Sequence, residues 1–441
     1  MPLPFAISAL KNSILKKKNL KLSKSQVSEL QQKKFKELVN YAYNNSGYYK
    51  NLIDERKISL ENPQLSDFPV INKNTILENF NDFVTDQEIT LEKIQEYLSR
   101  PLQDKSLFLG KYTAVNTSGS SGTVGYYLYS QTELADGISY STIANGLKLQ
   151  QRYAFIGATQ GRFAGISMIN SAKRLPIIYQ DVLTLDINSP LQDIIDQLNK
   201  FQPTVLSGYA SILPILAKAQ QDGKLKISPQ IIDTSAEPLT EVGSQLVASV
   251  FKVPIINVYA CSEHLIIGIG KEEYEGMYLM EDNFIFEFKE KTTLITNLYN
   301  KTMPMIRYEM NDVLKPKKDD QNLLPYTLLD NILAREEYIP YFKNSKGQQD
   351  YLHPIPLIGI FVENLHRYQF VIENDEKFTV RVIYSENISK AEKEKALQDL
   401  TKQLNQILEE KNFQNVKFEV EEVNNLPVDK KTGKFKIIVK A

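Results

Sequence analysis

The sequence predicts an α/β protein: a large N-terminal domain of mixed sheets and helices followed by a small, mobile C-terminal α+β domain. Three observations carry this. At 441 residues the chain exceeds the roughly 250 to 300 residues at which a single core stops growing. From about residue 189 helical and strand-like segments alternate, which is the rhythm of an α/β sheet. Near residue 335 the texture changes to two alternating apolar/polar strands around one helix.

The elements follow in order. Residues 33–50 place Phe35, Leu38, Val39 and Ala42 at helical spacing, with Asn45, Ser46 and Gly47 as a stop. Ser189 and Pro190 read as a cap and first turn, and Leu191, Ile194, Ile195 and Leu198 form one helix face. TVLSG is a strand, SILPILAKAQ a helix, IIDTSAEPL strand-like, the stretch from Thr240 a helix, and VPIINVYA a buried strand. Beyond the boundary at LAREEYI, FTVRVIYSE alternates as a half-exposed strand. Leu397, Leu400, Leu404 and Ile407 then make a helix face, and VKFEVEEV alternates again. The expected domains are 1–334 and 335–441.

Composition narrows the function. The hydrophobic fraction of 42% and charged fraction of 24% are those of a globular protein. A net charge of -1, from 52 basic and 53 acidic residues, provides no field for nucleic acid. A lone cysteine, Cys261, excludes an internal disulfide framework, and His264, His353 and His366 are scattered too widely for a metal cluster. The opening MPLPFAISALKNSILKKKNLKLS sets its apolar stretch before its lysines, the reverse of a secretory signal, and no later run is long enough to span a membrane. The expectation is a cytoplasmic protein with no stable membrane anchor. Lys16, Lys17 and Lys18 beside Ile14 and Leu15 read as the solvated face of a peripheral helix in preference to a membrane-surface helix.

The strongest local signal is NTSGSSGTVGYY at 116–127. Glycines let backbone N–H groups approach an anion, and the hydroxyls of Thr117, Ser118, Ser120, Ser121 and Thr123 add neutral donors. No lysine follows the last glycine as the Walker pattern demands, and taken alone such a stretch is more often a plain flexible loop. In NVYACSE at 257–263 an apolar strand ends in Tyr259, and the carboxylate of Glu263 stands just beyond it, at the edge of α/β sheets that ligands favour. By itself this is equally a strand-end turn.

Three further blocks, TSAEPLT, TNLYNKTMPMIRYEMNDVL and LPVDKKTGKFKII, stand in order along the chain, after an opening FKELVNYAYNNSGYYKNL and the phrase FPVINKNTILENF. With these, nearly the whole chain resembles the adenylate-forming superfamily, with a likeness to phenylacetate-CoA ligase and related capsular-polysaccharide-biosynthesis proteins. The resemblance implies that Thr117, Ser118, Gly119, Ser120, Ser121, Gly122 and Thr123 close over the outer phosphates of ATP, with Thr123 departing from the common pattern. Ser235, Ala236, Glu237 and Pro238, with Tyr259 as a stacking surface and Ala260 beside it, would hold adenine. Glu263 would be the magnesium-side carboxylate, since Mg²⁺ takes few protein carboxylates, and Asp312 would accept the ribose hydroxyls.

Arg335 matches the family's hinge-side arginine. Ala334 replaces a glycine there, and neither Glu336 nor Glu337 is the usual aspartate. Lys434, after Gly433, matches the lysine that bridges the substrate carboxylate and the α-phosphate, although the gap from Pro427 is one residue longer than the common pattern and Lys430, Lys431 and Lys436 are neighbours. Tyr209 and Tyr126 would line the acyl pocket and point to an aryl or apolar acid.

The function so implied is an acid–thiol ligase using ATP and Mg²⁺. A small-molecule carboxylic acid becomes an acyl-AMP, then passes to CoA or to the phosphopantetheine of an acyl carrier protein. An amide- or ester-forming ligase and a silent nucleotide- or acyl-binding scaffold are the alternatives. A serine-nucleophile acyltransferase is disfavoured, since no histidine is arranged as its base. Oligomeric state is open, with a homodimer compatible.

Overall fold

The computed structural model describes the chain except residues 1–2, 102–105, 118–123, 142, 144–148, 160, 176–177, 237–238, 240, 291, 311, 313, 331–338, 353–355, 358–359, 361, 386–387 and 428–435. It opens with two helices, α1 (Leu3–Asn19) and α2 (Lys24–Asn45). α2 begins at a capping box in which Ser23 and Gln26 satisfy each other's backbone N–H, and it buries Val27, Phe35, Leu38, Val39 and Ala42. The helix stops where Asn45, Ser46 and Gly47 predict, and a second helix, Gly47–Arg56, follows at once because Ser46 serves both ends: its N–H bonds Ala42 and its side chain accepts from Tyr49.

Strands β1 (Tyr112–Asn116) and β2 (Tyr126–Ser130) form an antiparallel hairpin whose connection is the Ser/Thr/Gly loop. After it come β3 (Gln151–Gly157), β4 (Tyr179–Asp186), β5 (Val205–Tyr209), β6 (Ile231–Ser235) and β7 (Ile255–Cys261). β8 (Leu265–Lys271) and β9 (Gly276–Leu279) turn back antiparallel. β10 (Phe284–Phe288), β11 (Thr293–Asn297) and β12 (Tyr308–Met310) make a separate antiparallel sheet, and β13 (Leu328–Leu329) returns to pair with β9.

The main sheet therefore runs β13-β9-β8-β7-β6-β5-β3-β4 and is parallel from β4 to β7. Helices Ala164–Ala172, Leu191–Phe201, Ile212–Gln221 and Glu241–Phe251 connect the parallel strands. Such strands are covered on both faces, and every residue of β5 is buried. Helix Leu191–Phe201 buries Ile194, Ile195 and Leu198 as its spacing predicts. Its N-cap is Pro190 with no side-chain bond. The free N–H of Leu191 is met by the carboxylate of Asp350 (3.0 Å), so Ser189 is not the cap.

In the C-terminal part β14 (Tyr341–Lys343) and β15 (Gln349–Tyr351) form a hairpin. A four-stranded sheet runs β18 (Lys417–Glu422), β17 (Lys377–Tyr384), β16 (Leu365–Ile372), β19 (Ile438–Lys440). Helix Lys390–Glu410 packs on this sheet through Ala396, Leu400, Leu404 and Leu408, a stripe repeating every four residues. Leu397, expected in that stripe, is 38% exposed although it lies on the same side of the helix as Leu404 and Leu408.

Two buried polar clusters fix the large elements. In the first, Lys16 is 1% exposed, where the expectation was a solvated face. Its Nζ lies 3.0 Å from Asp136 and 3.4 Å from Asp282 and sits over the Tyr140 ring. Asn19 and Tyr140 also donate to Asp282. In the second, Lys411 donates to the carbonyl of Ser189 (2.6 Å), lies 3.4 Å from Asp350 and stacks on Tyr351. Tyr351 donates to the Ile187 carbonyl (2.8 Å). This second cluster ties the turn after β4 to the C-terminal elements.

Candidate active site

The site is built at the C-terminal edge of the parallel strands. Tyr209, Ser235 and Val258 lie side by side there, since Tyr209 pairs with Ser235 and Ser235 with Val258 across β5, β6 and β7. Ala236, the next residue after β6, has φ of 68°. A residue with a Cβ in that left-handed region costs roughly 1 to 2 kcal/mol, and such strain clusters at ligand clamps. Glu237 and Pro238 lie outside the described residues.

β7 ends in Tyr259, Ala260 and Cys261, and the chain turns through Ser262 and Glu263 into β8. The β1/β2 hairpin packs across this turn. The Tyr129 hydroxyl donates to the Ser262 carbonyl (2.7 Å), and Ser262 Oγ donates to the Asn116 carbonyl (3.2 Å). Glu263 Oε1 accepts from the Tyr127 hydroxyl (3.4 Å), which also bonds the Tyr308 hydroxyl (3.0 Å). Burial pushes the Glu263 carboxyl above its usual range; its backbone contact, Lys73, Cys261 and Tyr127 pull the other way without winning.

Thr117 pins the mouth of the Ser/Thr/Gly loop. Its N–H donates to the Gly125 carbonyl (3.0 Å), and its Oγ1 accepts from the Gly125 N–H (2.9 Å). Glycine is required at 125 because an added Cβ would lie 2.7 Å from the Tyr127 hydroxyl oxygen. Of the loop itself, Ser118, Gly119, Ser120, Ser121, Gly122 and Thr123 lie outside the described residues.

The structure adds a residue that sequence reasoning missed. Lys73 Nζ donates to Thr117 Oγ1 (3.4 Å) and attracts Glu263, while burial lowers its pKa below the ordinary lysine value. It reaches the site because Ile71 pairs with β12: the Ile71 N–H donates to the Arg307 carbonyl (3.2 Å) and Glu309 N–H to the Ile71 carbonyl (2.8 Å). Arg307 anchors that junction with a two-pronged ion pair to Glu287 (2.7 and 2.9 Å) and a bond to the Phe68 carbonyl. Lys73 stands in FPVINKNTILENF, so its sequence signal was the phrase itself.

On the other side of the turn, the Tyr259 hydroxyl donates to Asp312 Oδ2 (2.7 Å), and Asp312 is exposed. Thr117, Glu263, Tyr259 and Asp312 are thus gathered around one strand end, with Ser235 and Ala236 on the neighbouring strand. Tyr209 and Tyr126 pack in different clusters: Tyr209 edge-on to Phe155, Tyr126 opposite Asn116 with its hydroxyl reached by Gln95. Arg335 and Lys434 lie outside the described residues.

The remaining titratable groups have structural environments. His264 is fully buried among aromatic rings, its ring reached by Asn297, and burial pushes its pKa down to about 3. It stays neutral at ordinary pH. Burial and the neighbouring Glu263 push the Cys261 thiol well up, so it is no ready nucleophile. Among the described residues no three His, Cys, Asp or Glu side chains converge as a metal cage.

No family model matches the chain. It is 24% identical over 308 residues to Protein CapK of Staphylococcus aureus, covering 64% of this chain and 62% of that protein. It is 23% identical over 320 residues to phenylacetate-coenzyme A ligase of Thermus thermophilus, covering 66% of each. The chain thus spans just under two thirds of the length of these curated relatives. In fold it matches a 2-hydroxyisobutyryl-CoA ligase in complex with 2-HIB-AMP and CoA, with a TM-score of 0.60 at 15% identity over 96% of this chain and 91% of that one. The same ligase in its postadenylation state with R3-HIB-AMP aligns with a TM-score of 0.55 at 15% identity, over 96% and 91%. The chain is thus similar in sequence to Protein CapK and to a phenylacetate-coenzyme A ligase, and it shares the fold of a 2-hydroxyisobutyryl-CoA ligase.

Proposed function

We propose that the chain is an acid–thiol ligase, which joins a carboxylic acid to ATP as an acyl-AMP and passes the acyl group to CoA or to the phosphopantetheine of a carrier protein. The observation that carries this is the gathering of Lys73, Thr117 and Glu263 in one connected network at the strand edge, with the Tyr259–Asp312 pair beside it. A cation and a hydroxyl are the donors that phosphate oxygens need, and an acceptor-only carboxylate is what ribose hydroxyls need, which supports the reading.

In this reading Thr117 and the glycine-rich loop donate to the outer phosphates, and Lys73 offsets their charge. Asp312 takes the ribose hydroxyls, held in orientation by Tyr259. A substrate carboxylate oxygen attacks the α-phosphorus, pyrophosphate leaves, and Lys434 steadies the charge that builds there. A thiol then attacks the acyl carbon and AMP departs. The Glu263 carboxylate, met by the Tyr127 hydroxyl and the Cys261 thiol, would be the protein ligand of Mg²⁺, which takes one or two carboxylates beside water and phosphate oxygens. When bound with the nucleotide, the ion would supply charge neutralisation at the phosphates.

In this reading residues 335–441 act as the closing domain, pivoting at Glu336 or Glu337 beside the hinge-side Arg335, so that water is kept from the acyl-AMP. Tyr209, at the same sheet edge, favours an aryl or apolar acid. A cytoplasmic location belongs to the same reading; among the described residues no helix is long and apolar enough to cross a membrane.

The test is pyrophosphate release from MgATP over a panel of aryl, fatty and amino acids, with and without CoA or a pantetheinylated carrier protein. Acid-dependent release establishes adenylation, and acceptor dependence assigns the second step. A folded protein that releases none with any acid overturns the reading.

A further inference from the structure

The outer face of α1 is apolar. Ile7, Leu10, Ile14 and Leu15 are 59%, 49%, 62% and 43% exposed. At 100° per residue they share one arc of the helix with Lys11, Lys17 and Lys18, which are also exposed, and Lys21 follows in the turn. The opposite face carries Phe5, Ala9, Ser13, Lys16 and Asn19, all buried.

This orientation is fixed. Lys16 and Asn19 are committed to Asp136 and Asp282, and Phe5 lies under the Arg174 guanidinium. The helix cannot roll its aliphatic stripe inward without breaking a buried charge network. A helix that buries a lysine and exposes four large aliphatic side chains has been sorted for something other than water on its outer face.

We infer that α1 is a docking surface for an anionic lipid bilayer, lying in the interface plane with its aliphatic stripe inserted. The arrangement is that of an interfacial helix: aliphatic anchors at the centre and lysines whose stems lie along the apolar surface while their ammonium groups reach the headgroups. Among the described residues Lys11, Lys17, Lys18 and Lys21 pair with no carboxylate, unlike Lys16.

A second copy of the chain fits this face poorly. α1 contains no Asp or Glu, so two copies paired through the stripe would set lysine against lysine. An anionic bilayer supplies both an apolar phase and the missing counter-charge. One helix of this length gives reversible rather than permanent attachment.

The test uses the full chain and co-sedimentation with large unilamellar vesicles of phosphatidylcholine, with or without phosphatidylglycerol. Binding is expected to the anionic vesicles alone and to fall steeply with added salt. Each lysine near the surface contributes about fivefold, so Lys11→Gln with Lys18→Gln should weaken binding by roughly 25-fold. Leu10→Ser with Ile14→Ser should weaken it at least about tenfold, as the anchoring area is lost. All four positions are exposed, and an unchanged urea midpoint confirms that the variants fold. Absence of wild-type binding to anionic vesicles overturns the inference without reference to any variant. So does a concentration-dependent dimer that Leu10→Ser with Ile14→Ser dissolves while vesicles remain unbound.

Discussion

The Tyr259 hydroxyl donates to Asp312 Oδ2 at 2.7 Å, joining the end of β7 to the segment after β12. The bond presets the acceptor that the ribose hydroxyls are proposed to meet. Tyr259→Phe keeps the ring and removes the donor. A hydrogen bond to a charged group contributes about 1.5 to 3 kcal/mol, so the KM for ATP should rise roughly tenfold or more with kcat changed less. Steady-state kinetics with varied ATP check this split; a lowered kcat at constant KM would place Tyr259 elsewhere in the reaction.

Lys73 lies beside Thr117 and within reach of the Glu263 field. Lys73→Met should raise the KM for ATP and reduce kcat/KM by about a hundredfold, the scale on which one preorganised donor acts. Adenosine, which has no phosphate, should bind both proteins alike in calorimetry. Equal losses for ATP and adenosine would mean that Lys73 supports the fold rather than the phosphates.

Glu263 predicts opposite effects on activity and stability. Its folded pKa lies above the unfolded value, so the stability it contributes is full below the unfolded pKa and is lost as pH rises through the folded one. At neutral pH the charged form is held at a cost. Glu263→Gln should therefore raise the thermal midpoint in the absence of ligand while lowering pyrophosphate release by about a hundredfold or more. Calorimetry and the release assay on the same preparation decide it; a lower midpoint contradicts the assignment.

Lys411 reports on the seam between the turn after β4 and the C-terminal elements. Burial lowers its pKa to about 8, against 10.5 for an ordinary lysine, while Asp350 pulls upward. The unfolded chain binds more protons between those values, so this group's contribution is full above the unfolded pKa and is lost as pH falls toward 8. Over that window wild type should gain up to about 3 kcal/mol relative to Lys411→Met, from about 1.4 kcal/mol per unit of pKa. Urea unfolding at pH 8, 9 and 10 reads the difference, and parallel pH profiles would contradict it.

Much of the fold was legible because parallel strands are apolar runs and their helices carry a repeating face. β5 reads directly from TVLSG, and Ile194, Ile195 and Leu198 from their spacing. What escaped was set by partners distant in sequence. Asp350 replaces Ser189 as the cap of its helix, and Asp136 with Asp282 draws in Lys16, which its chemistry marks for solvent. Leu397 has the helical spacing of the buried row and is exposed all the same, which its spacing does not explain. At the site, Thr117, Tyr259, Glu263 and Asp312 were readable as motif members. Lys73 was not, since only the pairing of Ile71 with β12 carries it to Thr117.

The most direct test of the central claim uses the acid that supports pyrophosphate release, labelled with ¹⁸O in its carboxylate, together with MgATP and the thiol acceptor. Attack of the carboxylate on the α-phosphorus leaves one labelled oxygen on AMP when the thiol displaces it, so mass spectrometry should find AMP carrying one ¹⁸O. Unlabelled AMP, or label released in inorganic phosphate, would contradict the account.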